Sequence, residues 1–378
     1  APRSKPASAL PRETAASGGP QLAAMASEVP ASSALSRPVV RPVAFTAVGV
    51  CERVGKRPAM EDAVCLEPAL DYLRLELDKL PLERTSPPSP EQIALQKSTA
   101  IGLFGVFDGH GGRASAAFAS RVIPYLLAQD PLRFSEESAA LKSAFLKCDE
   151  LLRNHLQSRF PDSKEYNSGT TAVVALLRHC SVSGKLSVTC SNIGDSRCII
   201  ATQAGKAIAL SEDHVPTLER EHQRIEGSNG FVAPSAGTNG QPRVLGALAV
   251  TRALGDFDFK MPKVSCWGTS ACPISQDLIL ADPDIASREC DSSHRAVVLA
   301  CDGIWNVFSS DEAASFVTSH LQKFDRSMRR NSGESKCEVV ATALVDAALA
   351  RGSSDNCTCI VIDLHPILAK GSRACIVS

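Results

Sequence analysis

Eight short apolar or β-branched runs, FTAVGVC, DAVCLEP, AIGLFGVF, TAVVALL, LSVTCSNI, RCIIAT, AVVLAC and CTCIVIDL, recur from Phe45 to the C-terminal region. Each has the length and composition of a core strand. Three amphipathic stretches interleave with them. Glu136 to about Phe160 places Leu141, Phe145, Cys148, Leu152 and Leu156 on one helical face, with Ser135 positioned to cap it. A second helix is expected from about Asp311 to Leu321, and a third from Ser335 to Arg351, stopped by Gly352. Helices laid on the outside of antiparallel sheets would bury these stripes, so the fold class is α+β.

Two segments interrupt the pattern. Residues 68–100 contain LDYLRLELDKLPLE and SPPSP and read as an exposed insertion, too long for a hairpin loop. Residues 214–263 are rich in glycine, asparagine and charge, and their Asn229-Gly230 pair suits a tight turn. Residues 1–41 are rich in Ala, Ser and Pro with only Glu13 and Glu28 as acids, which predicts a disordered tail or an organelle transit peptide. One domain over 42–366 and a C-terminal tail over 367–378 complete the organisation.

Lys and Arg number 40 against 41 for Asp and Glu, so no overall field would draw nucleic acid or an anionic membrane. The 14 cysteines include no C-x-x-C pair and lie mostly in apolar runs, as expected of reduced core residues in an intracellular protein. No run approaches the roughly 20 apolar residues of a membrane span. The expectation is a soluble monomer of the cytoplasm or nucleus. The last four residues, CIVS, fit a farnesylation box at Cys375, which would add peripheral membrane association.

Chemistry is suggested by what ends the apolar runs. MEDAVCL puts Glu61 and Asp62 at a strand start, AIGLFGVF delivers Asp108 with Gly109 and His110, LSVTCSNIGDSR delivers Asp195, AVVLACDGIW delivers Asp302, and GSSDNCTCIVID puts Asp355 before a strand. Any one of these is also how a turn is made. Five such sites, each anchored to a core strand, point to one cluster. Clustered carboxylates repel unless neutralised, and hard divalent cations with oxygen ligands are the usual neutraliser. An acid-only ligand set favours magnesium or manganese over zinc, and two such ions about 4 Å apart suit hydrolysis of phosphate esters.

The series RPAMEDA, FGVFDGHGG, SGTTAVVAL, NIGDSR, EDHVP, RVLGALAVTRALGDFDFK, LACDGIW and GSSDNCT resembles, in order, the motifs of the metal-dependent type 2C serine/threonine protein phosphatases. The resemblance covers roughly Phe45 to Leu364 and implies two packed antiparallel β-sheets flanked by α-helices. It implies that Asp62, Asp108, Asp302 and Asp355, with the Gly109 carbonyl, bind two Mn2+ or Mg2+ ions, and that Asp195 serves a third, weaker one. Glu61 would orient water, Arg57 would grip the phosphate with its planar fork, and His110 would protonate the leaving alkoxide. Phosphorylated Ser and Thr in proteins would be hydrolysed by water held between the two ions, with no covalent phosphoenzyme. His214 reads as structural, and Asp256 of RALGDFD has no evident role beyond its turn.

The sequence departs from the family in two places. After ACDGIW the family usually carries Asp, where this chain has Asn306, so the third ion site is expected to be impaired. GSNGFV replaces more usual paired glycines in the flap-like segment. A second reading follows from Asn306: a catalytically weak or inactive pseudophosphatase that keeps the fold as a binding module. The presence of all four principal acids and Arg57 argues against it. CERVGKR satisfies the C-x5-R spacing of cysteine phosphatases, but no histidine precedes it and Cys51 ends an apolar run.

Overall fold

The computed structural model describes residues 45, 47–70, 99–180, 182–234, 240–261, 273–326 and 335–374, the side chains of the last segment only to 369. In chain order the strands are β1 Val48–Arg53, β2 Ala63–Glu67, β3 Thr99–Phe107, β4 Gly109–His110, β5 Gly169–Thr170, β6 Ala172–Cys180, β7 Leu186–Ile193, β8 Arg197–Thr202, β9 Ala207–Ala209, β10 Val232–Pro234, β11 Pro242–Val244, β12 Leu254–Gly255, β13 Asp284–Cys290, β14 His294–Ala300 and β15 Cys357–Asp363. The helices are α1 Ala114–Gln129, α2 Glu137–Arg159, α3 Glu219–Gly227, α4 Asp302–Trp305, α5 Ser310–Arg326, α6 Lys336–Ala350 and α7 His365–Ala374.

Two five-stranded antiparallel sheets, ordered β1-β15-β14-β8-β9 and β13-β7-β6-β3-β2, pack face to face. Helices cover their outer faces, which gives the α+β sandwich expected. Strand β14 shows how the sequence builds it. Val297 and Leu299 point into the core between the sheets, while Ala296, Val298 and Ala300 face α5 and α6. In β3, Phe104 and Val106 face the sister sheet, and Ile101, Leu103 and Phe107 face α1 and α2. Strands buried on both faces read as unbroken apolar runs rather than as alternation.

Several local expectations are corrected. Ser135 does not cap α2, because its N–H closes the preceding 3₁₀ turn on Leu132 and the cap position falls to Glu136. Helix α5 continues past Leu321 to Arg326. Helix α1 goes unrecognised in the sequence because it follows a glycine run and carries Pro124 inside. Thr99 and Ala100 belong to β3 and Leu70 is buried against the α1–α2 side of the core, so residues 68–100 are not an exposed insertion throughout; 71–98 lie outside the described residues. The tight turn expected at Asn229-Gly230 is present, at the end of a helix rather than between two strands. Asn229 adopts φ 63° just beyond α3, and Gly230 N–H donates to Ile225 O, capping that helix. The described residues of the 214–263 segment are organised rather than irregular, with α3 and the β10–β11 ribbon gathered around Ile225, Val244, Val250 and Leu278. Helix α7 crosses the expected boundary at 366 and buries Ile367. The N-terminal tail and Cys375 lie outside the described residues.

The eleven described cysteines are free. No helix among the described residues is long and apolar enough to cross a membrane.

Candidate metal centre and active site

Strand register places the acids. Ala63 pairs with Phe107, so Asp62 just before β2 and Asp108 just after β3 leave the same end of one sheet. Ala300 pairs with Cys359 in the other sheet, so Asp302 after β14 and Asp355 before β15 leave the corresponding end there. Asp195 sits in the tight β7–β8 connection between the sheets, after Gly194 at φ 89°. Asp108 lies within hydrogen-bonding reach of both Asp62 and Asp302, and its charge is felt together with those of Asp195 and Asp355.

The segment SGTT anchors Asp108. Thr171 N–H donates to Asp108 O at 2.9 Å and Thr170 Oγ1 donates to the same oxygen at 3.1 Å. A Cβ on Gly109 would stand 2.4 Å from Glu61 O, so only glycine lets these two chains approach. Asp62 is fully buried, and its Oδ2 accepts from Thr358 Oγ1 at 2.6 Å.

Burial and mutual repulsion push these carboxyls up. Asp62 rises to about 6, chiefly by burial. Asp195 rises to about 7 through burial and then Asp302, Asp302 is raised by burial and then Asp355, and Asp108 lies well above the carboxylate range. Acids so placed are costly without a positive partner.

The donor set fits a divalent cation. Asp62 Oδ1 is buried with no hydrogen-bond partner, and oxygens of Asp62 and Asp108 lie with Cys301 Sγ within 4.8 Å of one another. An orphaned buried carboxylate oxygen among further carboxylates is what a hard cation satisfies.

Around this cluster stand the other expected residues. Arg57 is half exposed, and its Nη2 donates to Asp355 Oδ2 at 2.6 Å. The loop carrying Arg57 and Glu61 is held by Asn356, whose Nδ2 donates to Val54 O and Ala59 O while its Oδ1 accepts from Glu61 N–H. Asn356 was not singled out in the sequence; its neighbour Asp355 was the only signal. Glu61 is half-buried, and its charge acts on His110. His110 Nε2 lies 2.7 Å from Asp256 Oδ2. Burial alone would lower the imidazole pKa, but the adjacent Asp256 charge and hydrogen bond bring it above the usual value.

Asn306 is exposed and donates from Nδ2 to Asp302 Oδ2 at 3.0 Å. His214 is buried, accepts from Gly194 N–H at Nδ1, and sits 3.1 Å from Asp284 through Nε2, within the scaffold that holds the Asp195 turn. Cys51 lies in β1 with its thiol raised by burial, the opposite of an activated nucleophile.

The protein phosphatase 2C family model matches residues 48–357. The chain belongs to the protein phosphatase 2C family. Its curated relatives include "Probable protein phosphatase 2C 22" of Arabidopsis thaliana, 33% identical over 86% of this chain and 70% of that protein. "Probable protein phosphatase 2C 59" of Oryza sativa subsp. japonica is 35% identical over 69% of this chain and 66% of that one. Among solved structures, a serine-threonine phosphatase 2C of Toxoplasma gondii shares the fold with a TM-score of 0.60 at 20% identity, over 84% of this chain and 94% of its own. Protein phosphatases 2C are serine/threonine phosphatases that depend on divalent metal, and the acid cluster of this chain is a candidate metal site in keeping with that class.

Proposed function

We propose that this phosphatase 2C hydrolyses phosphoserine and phosphothreonine in proteins with two Mn2+ or Mg2+ ions and no covalent phosphoenzyme. What supports the reading most is that the charges of Asp62, Asp195, Asp302 and Asp355, scattered over almost 300 residues, all bear on the buried Asp108, beside an unpartnered Asp62 oxygen. Asp62, Asp108, Asp302 and Asp355, with the Gly109 carbonyl, would hold the ions. When bound, the ions supply the charge that makes water nucleophilic at neutral pH and neutralises phosphate oxygens.

The chain's own residues do the rest. Arg57, at the exposed rim, offers a planar fork to two phosphate oxygens, a match a lysine cannot copy. Glu61 is held beside His110 by the Asn356 bond to its backbone and orients the incoming water. As the water oxygen bonds to phosphorus and the P–O bond to the serine or threonine breaks, His110 gives its proton to the departing oxygen. The ring is then reprotonated from solvent. Asn306 brings an amide where a carboxylate would serve a third ion with Asp195, so that third site is weak in this chain.

The test is phosphate release from phosphoserine and phosphothreonine peptides with manganese, with magnesium and with chelator, alongside Asp302→Ala. Metal-dependent turnover abolished by the substitution supports the reading; turnover indifferent to both overturns it.

A further inference from the structure

Three two-residue strands form a separate small sheet in the order β12-β5-β4, built from Leu254–Gly255, Gly169–Thr170 and Gly109–His110. It joins three distant motifs and brings His110 Nε2 to 2.7 Å from Asp256 Oδ2. Asp256 is 4% exposed and sits in the left-handed region at φ 50°, an uncommon conformation for a residue with a side chain. Its N–H donates to Ser168 O.

The surroundings make room for this pair and lock it. A Cβ on Gly169 would stand 2.2 Å from Asp256 Oδ2 and 2.4 Å from His110 Nε2, and one on Gly255 would stand 2.4 Å from Ser168 O. Gly255 N–H donates to Asp149 Oδ1 at 2.8 Å. Lys260, 1% exposed, donates to Asp149 at 2.8 Å and to Ala253 O at 3.0 Å, so α2 clamps both sides of the turn.

We infer that Asp256 is the positioning residue for His110. By engaging Nε2 it fixes the ring plane and leaves Nδ1 as the only ring nitrogen free to serve the leaving oxygen. A carboxylate on the far side of an imidazole sets tautomer and orientation in this way wherever the ring must deliver a proton at the other nitrogen. Asp256 touches neither substrate nor the acid cluster's ligating atoms in this role. The inference rests on the reading of His110 as proton donor.

The experiment compares two esters in Asp256→Ala, Asp256→Asn, Gly169→Ala and His110→Ala. An alkoxide leaving group needs a proton and p-nitrophenolate does not, so a lost or misaligned acid must slow phosphoserine peptides far more than p-nitrophenyl phosphate. Asp256→Ala is expected to lower kcat on the peptide by about 100-fold and to lower the peptide-to-aryl rate ratio by at least about tenfold. Gly169→Ala, which alters neither side chain, should do the same, and Asp256→Ala added to His110→Ala should cost nothing further. Manganese binding by calorimetry should persist in each variant.

Equal loss on both esters, no loss, or loss together with manganese binding in all the Asp256 and Gly169 variants would overturn the inference. If His110→Ala itself slows both esters equally, the underlying reading of His110 fails instead. If His110→Ala is selective and Asp256→Ala is not, only the positioning role fails.

Discussion

Arg57 Nη2 and Asp355 Oδ2, 298 residues apart in sequence, stand 2.6 Å apart at the rim of the acid cluster. The pair sets the guanidinium at the edge of the cluster, and the proposed reading gives it the outer phosphate oxygens. Arg57→Lys keeps a charge able to pair with Asp355 but loses the two-pronged grip. Its KM for a phosphopeptide should rise roughly tenfold with a smaller change in kcat. Steady-state kinetics on a phosphothreonine peptide checks this, and an unchanged KM would remove Arg57 from phosphate binding.

Asn306 donates to Asp302 Oδ2, so an amide dipole occupies the place of a potential ligand charge. Asn306→Asp should lower the metal concentration that gives half-maximal activity. Activity titrated with magnesium in both proteins measures it. A wild-type titration already saturated by a third ion at ordinary magnesium levels would contradict the impaired site.

Glu221, 1% exposed, joins Arg252 and Arg224 within the 214–263 segment. Burial alone would raise its carboxyl, but hydrogen bonds and charge from Arg252 and then Arg224 bring it from 4.5 to about 2. A depressed acid contributes stability in full above its unfolded value and loses it as pH falls through the folded one. The contribution is on the order of 3 kcal/mol, lost between about pH 4.5 and 2. Glu221→Gln should thus lower Tm clearly at pH 7, with the gap to wild type closing in acid; a gap independent of pH would contradict the pairing.

Gly49 lies in β1 against α6, where an added Cβ would stand 2.0 Å from Glu338 N. Backbone cannot yield as a flexible side chain can. Gly49→Ala should cost roughly 3 kcal/mol or more, read by denaturant unfolding.

Eight of the ten strands in the two large sheets were legible because each is an apolar run, and the acids because each flanks one; β13, DIASREC, lies at a sheet edge with mostly exposed side chains, and β9 is only three residues long, so neither was read. Asp108 and Asp302 needed no more than a view of AIGLFGVFDG and AVVLACDG. Contacts that depend on register at long range were not legible. Asp256 looks like a turn residue until the β12-β5-β4 sheet sets it against His110, 146 residues away, and Asn356 hides beside a more conspicuous aspartate. Helix α1 was missed because the glycines before it and Pro124 within it are read locally as breakers, while burial of Ile123 and Leu127 against the sheet overrides them.

The most direct measurement is phosphate release from a phosphoserine peptide by the full chain in manganese, in chelator, and after thiol alkylation. The acid cluster predicts turnover with manganese, none with chelator, and no effect of alkylation. Turnover that survives chelation and is abolished by alkylation would contradict it, as would an absence of manganese-dependent turnover.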